Sequence, residues 1–437
     1  MGTKELHIVM YPWLAFGHFI PYLHLSNKLA QKGHKITFLL PHRAKLQLDS
    51  QNLYPSLITL VPITVPQVDT LPLGAESTAD IPLSQHGDLS IAMDRTRPEI
   101  ESILSKLDPK PDLIFFDMAQ WVPVIASKLG IKSVSYNIVC AISLDLVRDW
   151  YKKDDGSNVP SWTLKHDKSS HFGENISILE RALIALGTPD AIGIRSCREI
   201  EGEYCDSIAE RFKKPVLLSG TTLPEPSDDP LDPKWVKWLG KFEEGSVIFC
   251  CLGSQHVLDK PQLQELALGL EMTGLPFFLA IKPPLGYATL DEVLPEGFSE
   301  RVRDRGVAHG GWVQQPQMLA HPSVGCFLCH CGSSSMWEAL VSDTQLVLFP
   351  QIPDQALNAV LMADKLKVGV KVEREDDGGV SKEVWSRAIK SVMDKESEIA
   401  AEVKKNHTKW RDMLINEEFV NGYIDSFIKD LQDLVEK

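Results

Sequence analysis

Short runs of apolar, β-branched and aromatic residues recur along the chain, each bounded by turn residues and separated by stretches with helical spacing. In the first half they are LHIVMY (6–11), KITFLL (35–40), DLIFFD (112–117), KSVSYNI (132–138), AIGIRS (191–196) and PVLLSG (215–220). In the second half they are SVIFCCLG (246–253), FFLAIK (277–282), VGCFLCHC (324–331) and QLVLFP (345–350). Runs that are apolar on both sides need cover on both sides, the condition of a parallel strand between two helical layers. The pattern predicts an α/β, doubly wound architecture, and its recurrence predicts two such domains. Between them, TTLPEPSDDPLDP (221–233) packs four prolines and four acidic residues into thirteen positions, a stiff, solvated connector. The predicted organisation is a first domain over 1–220, a linker over 221–234, a second domain over 235–414 and a terminal segment over 415–437. In that last segment Phe419, Tyr423, Phe427 and Leu431 stand at helical spacing and predict an amphipathic helix.

Bulk properties narrow the partners. The 437 residues exceed one ordinary core, and 43% hydrophobic with 24% charged residues fits a globular protein. With 45 basic against 59 acidic residues the formal charge is −14, which repels nucleic acid and anionic membranes and excludes both as main partners. An anionic small molecule binds such a chain only where donors are concentrated locally. MGTKELHIVMYPW has no cationic start leading into a long apolar run, and no apolar stretch reaches the length of a membrane span. A cytoplasmic location is expected. The eight cysteines fall mostly in strand-like stretches and are expected as buried thiols rather than a disulfide framework. The sequons at 175–177 and 406–408 are then silent.

One segment, GCFLCHCGSSS (325–335), admits three chemistries. Cys326, Cys329 and His330 spell the C-x-x-C-H of covalent haem attachment. Strand alternation, however, sends two residues three apart to opposite faces, so the two cysteines do not bracket one haem edge. Zinc fares no better: Cys326, Cys329, His330 and Cys331 lie too close in sequence to surround a tetrahedral ion, and no second cluster completes the set. The third reading starts after the strand, where Gly332, Ser333, Ser334 and Ser335 lead into a helix near Met336. Backbone N–H groups and hydroxyls at a helix N-terminus cradle a phosphate. The same serines suit a plain helix cap equally well. His18 is likewise one of thirteen histidines, and spacing alone does not separate it from a structural one.

The flanking residues decide. Trp312-Val313-Gln314-Gln315-Pro316-Gln317-Met318-Leu319-Ala320-His321 stands upstream, and Glu338, Pro350 and Asp354-Gln355 stand downstream. Together they resemble the plant family-1 UDP-dependent glycosyltransferase signature W-x-P-Q…L-x-H…G-x-F-x-x-H-C-G-W-N-S-x-x-E…P…D-Q. Near the other end, PWLAFGHFIPYLHLSNKLAQKGHKITFL resembles the P-W-x-A-x-G-H-x-x-P start of the same family, particularly of its branch-forming members that add a sugar to a sugar. The resemblance implies the GT-B fold: two facing Rossmann-like domains with a cleft between them and the terminal helix returning to the first. It implies that Trp312 stacks on uracil, that the Val313 backbone pairs with the base edge, and that Gln315 and Glu338 hold the ribose hydroxyls. His330, with Ser335, Ser334 and the Gly253-Ser254 turn, would hold the diphosphate at the turn formed by Gly332 and Ser333. Asp354 and Gln355 would bind hydroxyls of the transferred sugar. An aromatic for a flat base, polar amide and carboxylate groups for a diol and neutral donors for phosphate fit those tasks.

The catalytic pair implied is His18 and Asp117, a base oriented by a carboxylate, each in a loop after a predicted strand. Attack in line on the anomeric carbon would release UDP and invert configuration. Candidate acceptor contacts are Phe16, Trp121 and Asn137, with core packing an equal alternative for the first two, and the loop at 151–162 as a rim. No metal and no cofactor beyond the UDP-sugar co-substrate is expected, and the chain is expected to act as a monomer. Two departures from the family pattern stand out: Ser333-Ser334 where most members have Trp-Asn, and Gln314 in place of a proline. The function implied is transfer from UDP-glucose, -rhamnose, -xylose or -arabinose to a sugar hydroxyl of a flavonoid, phenolic or terpenoid glycoside. The alternatives are transfer to a free aglycone hydroxyl and a non-catalytic sugar-nucleotide binder. A nicotinamide oxidoreductase is disfavoured, since no G-x-G-x-x-G follows the first predicted strand.

Overall fold

In the computed structural model, which describes residues 4–146, 171–223, 230–253, 258–284, 286–375 and 378–437, each of the ten apolar runs contains a strand. The described strands are β1 His7–Tyr11, β2 Lys35–Pro41, β3 Ile58–Ile63, β4 Leu113–Phe116, β5 Lys132–Asn137, β6 Ala191–Ile194 and β7 Val216–Leu218. They continue with β8 Val247–Cys251, β9 Phe277–Ala280, β10 Gly306–His309, β11 Val324–Cys329, β12 Gln345–Leu348 and β13 Gly369–Lys371. All pair in parallel, in two sheets of order β3-β2-β1-β4-β5-β6-β7 and β10-β9-β8-β11-β12-β13. The three strands beyond the ten runs, β3, β10 and β13, all lie at sheet edges. In β3 exposed and half-buried residues interrupt the buried ones, and β10 is only half-buried throughout. An edge strand need not carry the two-sided apolar pattern that gives interior strands away, although β7, also at an edge, does lie in an apolar run.

Each sheet anchors one compact unit, the first comprising β1–β7 and Glu417–Lys437, the second β8–β13 and the helices up to Asn416. The terminal helix, Glu417–Glu436, buries Ile424, Phe427, Ile428, Leu431 and Leu434 in the core of the first unit. Phe427 meets Phe115 and Tyr136 there, with ring centroids 6.1 and 6.3 Å away. Burying a side chain of this size contributes roughly 2–3 kcal/mol. Phe419 and Tyr423, predicted on the same stripe, turn aside: they pack on each other, and the Tyr423 hydroxyl donates to Glu199 at 2.6 Å and accepts from the Arg198 N–H at 2.8 Å. Among the described residues no helix is long and apolar enough to cross a membrane.

Both strand orders reverse direction once, between β1 and β4 and between β8 and β11. At such a point the loops leaving two adjacent strands diverge to opposite sides and open a crevice at the carboxyl edge of the sheet. Tyr11, the last residue of β1, is in register with Phe116, the last of β4. Cys251, the last of β8, is in register with Cys329, the last of β11. In each unit the two loops leaving these paired strand ends are therefore brought together.

Candidate active site

After β1 the chain makes a tight turn through Trp13 and Ala15, and a helix, Phe16–Gln31, begins on the extended Ala15. His18 lies in its first turn and remains one-fifth exposed. Asp117 comes one residue after β4 and is buried. Its Oδ1 accepts the N–H groups of Trp13 and Met118, both at 2.7 Å, so the carboxylate ties the two loops together. Its Oδ2 lies 2.5 Å from His18 Nδ1. A carboxylate can only accept, so Nδ1 carries the proton and Nε2 keeps a lone pair. The two residues, 99 positions apart, thus form an imidazole with one nitrogen committed and one available as a base.

The candidate acceptor residues lie in and beside the core of the first unit. Phe16 is half-buried against Phe19 at 5.7 Å. Trp121 is buried beside Tyr11 and donates its indole N–H to Asp94 at 3.1 Å. Asn137 is buried, its amide nitrogen donating to the Ser135 carbonyl at 2.9 Å. The loop at 151–162 lies outside the described residues.

In the second unit the loops after β8 and β11 meet in the same way. His330 follows β11 and presses its imidazole on Gly253 after β8, where a Cβ would stand 2.7 Å from the ring at a backbone φ of +76°. Only glycine accommodates both the contact and the left-handed backbone. Cys331 also takes a left-handed φ of +63°, which turns the chain into the next helix, Ser333–Leu340. Gly332 is its N-cap and no side chain caps it, so the serines are not used as caps. The Ser333 hydroxyl instead accepts from Asn358 Nδ2 at 3.1 Å, and the same amide donates to the Cys331 carbonyl at 2.8 Å. Ser335 Oγ accepts from Gln315 Nε2 at 3.1 Å. Ser334 stands half-buried between them, and Ser254 lies outside the described residues. The first-turn N–H groups of such a helix point along its axis and favour an anion.

Around this turn stand the remaining predicted residues. Trp312 is 84% exposed, an indole face open to a planar ligand, while Val313 beside it is buried. Gln315 Nε2 also donates to Glu338 Oε2 at 2.8 Å, which holds an amide and a carboxylate side by side. Asp354 and Gln355 lie in the first turn of the helix Pro353–Val360, with Gln355 Oε1 accepting from the Gln351 N–H at 2.9 Å. Gln314, the departure from proline, accepts the Asp232 N–H at 2.9 Å and donates to the Pro230 carbonyl at 3.0 Å. Its carboxamide thereby pins the Trp312 turn to the end of the linker.

The cysteines are core. Cys326 and Leu328 enter one apolar cluster, while Phe327 stacks on Phe249 at 5.3 Å. Burial pushes the thiols of Cys250, Cys251, Cys326 and Cys331 above their usual range, so they stay protonated. Among the described residues no three His, Cys, Asp or Glu side chains converge on a point that suits a metal ion. Three residues beside these loops were not visible as motifs. Asn358 announces itself only as an amide among Ala356, Leu357 and Ala359, a polar residue where packing demands apolar ones. Arg181 and Asp94, which pair beside Met118, are charges without local pattern.

Known proteins resemble this chain over its full length. A family profile described as UDP-glucoronosyl and UDP-glucosyl transferase matches residues 304–407. UDP-glucosyl transferase 79T1 of Saponaria officinalis is 51% identical over 449 residues, spanning 100% of both chains. Anthocyanidin 3-O-glucoside 2'''-O-xylosyltransferase of Arabidopsis thaliana is 50% identical over 461 residues, spanning 99% of this chain and 98% of its own. The crystal structure of Arabidopsis thaliana UGT89C1 complexed with UDP-L-rhamnose shares the fold, with a TM-score of 0.81 at 24% identity over 99% of each chain. With two Rossmann-like domains, a switch-point loop pair in each and full-length identity of this order, the chain belongs to the plant family-1 UDP-glycosyltransferases and is an enzyme of that class.

Proposed function

We propose that the enzyme extends an existing glycoside: it moves a sugar from a UDP-sugar to a sugar hydroxyl of a flavonoid, phenolic or terpenoid glycoside, with inversion. The observation that carries the mechanism is the 2.5 Å contact between His18 Nδ1 and Asp117. His18 Nε2 takes the proton of the acceptor hydroxyl as its oxygen attacks the anomeric carbon, and the C–O bond to UDP breaks from the opposite side. Asp117 keeps the imidazole in the productive tautomer and balances the imidazolium that forms. The departing diphosphate is met by the N–H groups at Gly332–Ser335, by the serine hydroxyls and by His330. Trp312 stacks the uracil, Val313 pairs with its edge, and Gln315 with Glu338 takes the ribose diol. Asp354 and Gln355 hold the transferred sugar.

Transfer to a sugar is favoured over transfer to an aglycone by the 50% identity to a relative named for 2'''-O-xylosyl transfer onto a glucoside. Ser333, with its hydroxyl turned to Asn358, leaves space where most members carry an indole, and the donor sugar is selected by that volume. On this reading the enzyme works as a cytoplasmic monomer without a metal, and EDTA is expected to leave its rate unchanged. Assay of a panel of UDP-sugars against aglycones and their monoglucosides, with mass spectrometry of products, tests the acceptor class. A new sugar–sugar linkage supports the proposal, and exclusive aglycone monoglycosides overturn it. His18→Ala is expected to lower kcat by about 10²–10⁴-fold while UDP still binds. Near-normal turnover in that variant ends the mechanism.

A further inference from the structure

Arg181, on the helix Ile178–Gly187, is fully buried, yet it carries a charge. Its Nη2 is 2.5 Å from Asp94 Oδ2. Its Nε donates to the Phe172 carbonyl and its Nη1 to the Met118 carbonyl, both at 2.7 Å. Gly173 closes the socket: at its φ of +121° a Cβ would lie 1.9 Å from Nη2, so the backbone approaches the guanidinium as only glycine allows. Asp94 in turn accepts the Trp121 indole N–H at 3.1 Å and the Glu174 N–H at 3.3 Å. Taking such a pair out of water costs several kcal/mol per ion, and apolar residues of similar volume fill a core at least as stably. Stability alone does not account for it. What the pair fixes is geometry.

One guanidinium bond ends at a residue that holds Asp117, and a second ends one contact away from another. The Met118 carbonyl is one, and the N–H of that same residue donates to Asp117 Oδ1. The Phe172 carbonyl is the other, and the Phe172 ring packs on Trp13 at 5.5 Å, whose N–H is the second donor to Oδ1. One donor to the carboxylate is thus braced directly by the buried guanidinium, and the other through the Phe172–Trp13 ring contact. We propose that Arg181, paired with Asp94, is a positioning residue for the transfer reaction, acting through Met118 and Trp13 on the Asp117–His18 pair. The inference rests on His18 being the base.

Arg181→Lys keeps a cation beside Asp94 but replaces three directed nitrogens with one. Its kcat is expected to fall about 10-fold or more, since a misplacement of about 1 Å costs on the order of 10²-fold, with KM for the UDP-sugar unchanged. In an Asp117→Asn background the same substitution is expected to cost nothing further, because the carboxylate it orients is already gone. The double variant Arg181→Gln with Asp94→Asn removes both charges and keeps amide donors and an amide acceptor for the carbonyls and N–H groups of the socket; it carries the test if the lysine variant does not fold. A kcat within twofold of the parent in the folded variant overturns the inference, as does an equal loss with and without Asp117, which signals lost folded protein. Turnover that survives His18→Ala overturns the base assignment and this inference with it. Turnover lost in His18→Ala but kept in both Arg181 variants overturns this inference alone.

Discussion

The two sheets end in the same arrangement and use it for opposite electrostatics. Between β1 and β4 the crevice holds a buried carboxylate, Asp117, fixed by two N–H groups and facing an imidazole at 2.5 Å. Between β8 and β11 the turn that closes it is Gly332, Ser333, Ser334 and Ser335, with no charged side chain among the four. A base needs an ionised partner that commits one nitrogen and leaves the other bare. A leaving diphosphate, in a chain of formal charge −14, needs donors that bring no counter-anion of their own. One topology serves both, because a switch point supplies adjacent loops and leaves their chemistry to the residues placed there.

The sharpest way to break this contrast is to remove the charge from the first crevice. Asp117→Asn is expected to lower kcat by about 10³-fold while the dissociation constant of UDP, measured by calorimetry, stays within twofold. Loss of UDP binding in that variant would mean the two crevices do not divide the work. A smaller effect is expected in the second crevice. Gly253→Ala drives a Cβ to 2.7 Å from the His330 ring, and UDP is expected to bind about 10-fold more weakly, or about 1.4 kcal/mol, with the His18–Asp117 contact untouched. Unchanged affinity would detach His330 from the phosphate site.

The smallest effect concerns support rather than chemistry. His407 is buried behind the helix Ser333–Leu340 and donates Nε2–H to the Ala339 carbonyl at 3.1 Å, and burial lowers its pKa to about 4. Its folded pKa lies below the unfolded value near 6.5, so the unfolded chain takes up the proton first as pH falls. Stability is therefore intact above about pH 6.5 and is lost progressively down to about pH 4, by at most about 3 kcal/mol. Urea midpoints of the parent and of His407→Gln, which keeps an amide donor, are expected to converge as pH drops from 7 to 4.5. A parallel fall in both would remove His407 from the account.

How legible all this is in the sequence depends on whether a residue's role leaves a local trace. Interior strands do, because cover on both faces forces an apolar run, and β1, β4, β8 and β11 are plain in the letters. The edge strands β3, β10 and β13 do not, since each holds residues that are only partly buried or exposed and so breaks the apolar run. The Gly332–Ser335 turn is legible as a helix entrance but ambiguous between cap and cradle. Only the contacts of Ser333 with Asn358 and of Ser335 with Gln315 show the hydroxyls turned away from capping. The residues that brace the machinery are silent in sequence. Arg181 and Asp94 stand 87 positions apart, and nothing near either one says that they meet. Gln314 is visible as a departure from the family pattern, but its reach to Pro230 and Asp232 is a fact of folding.

The terminal helix has a consequence for how the chain comes into being. Ile424, Phe427 and Leu431 belong to the core built on β1–β7, although they are synthesised after the whole stretch from the linker to Asn416. The strands and helices of the second unit lie between the linker and Asn416 and are all in the nascent chain before Phe427 has been made. Domains usually mature in order of synthesis. Here, of the two units, the one begun first is the one finished later, and the core beneath the crevice that carries His18 waits on residues made after the whole of the other.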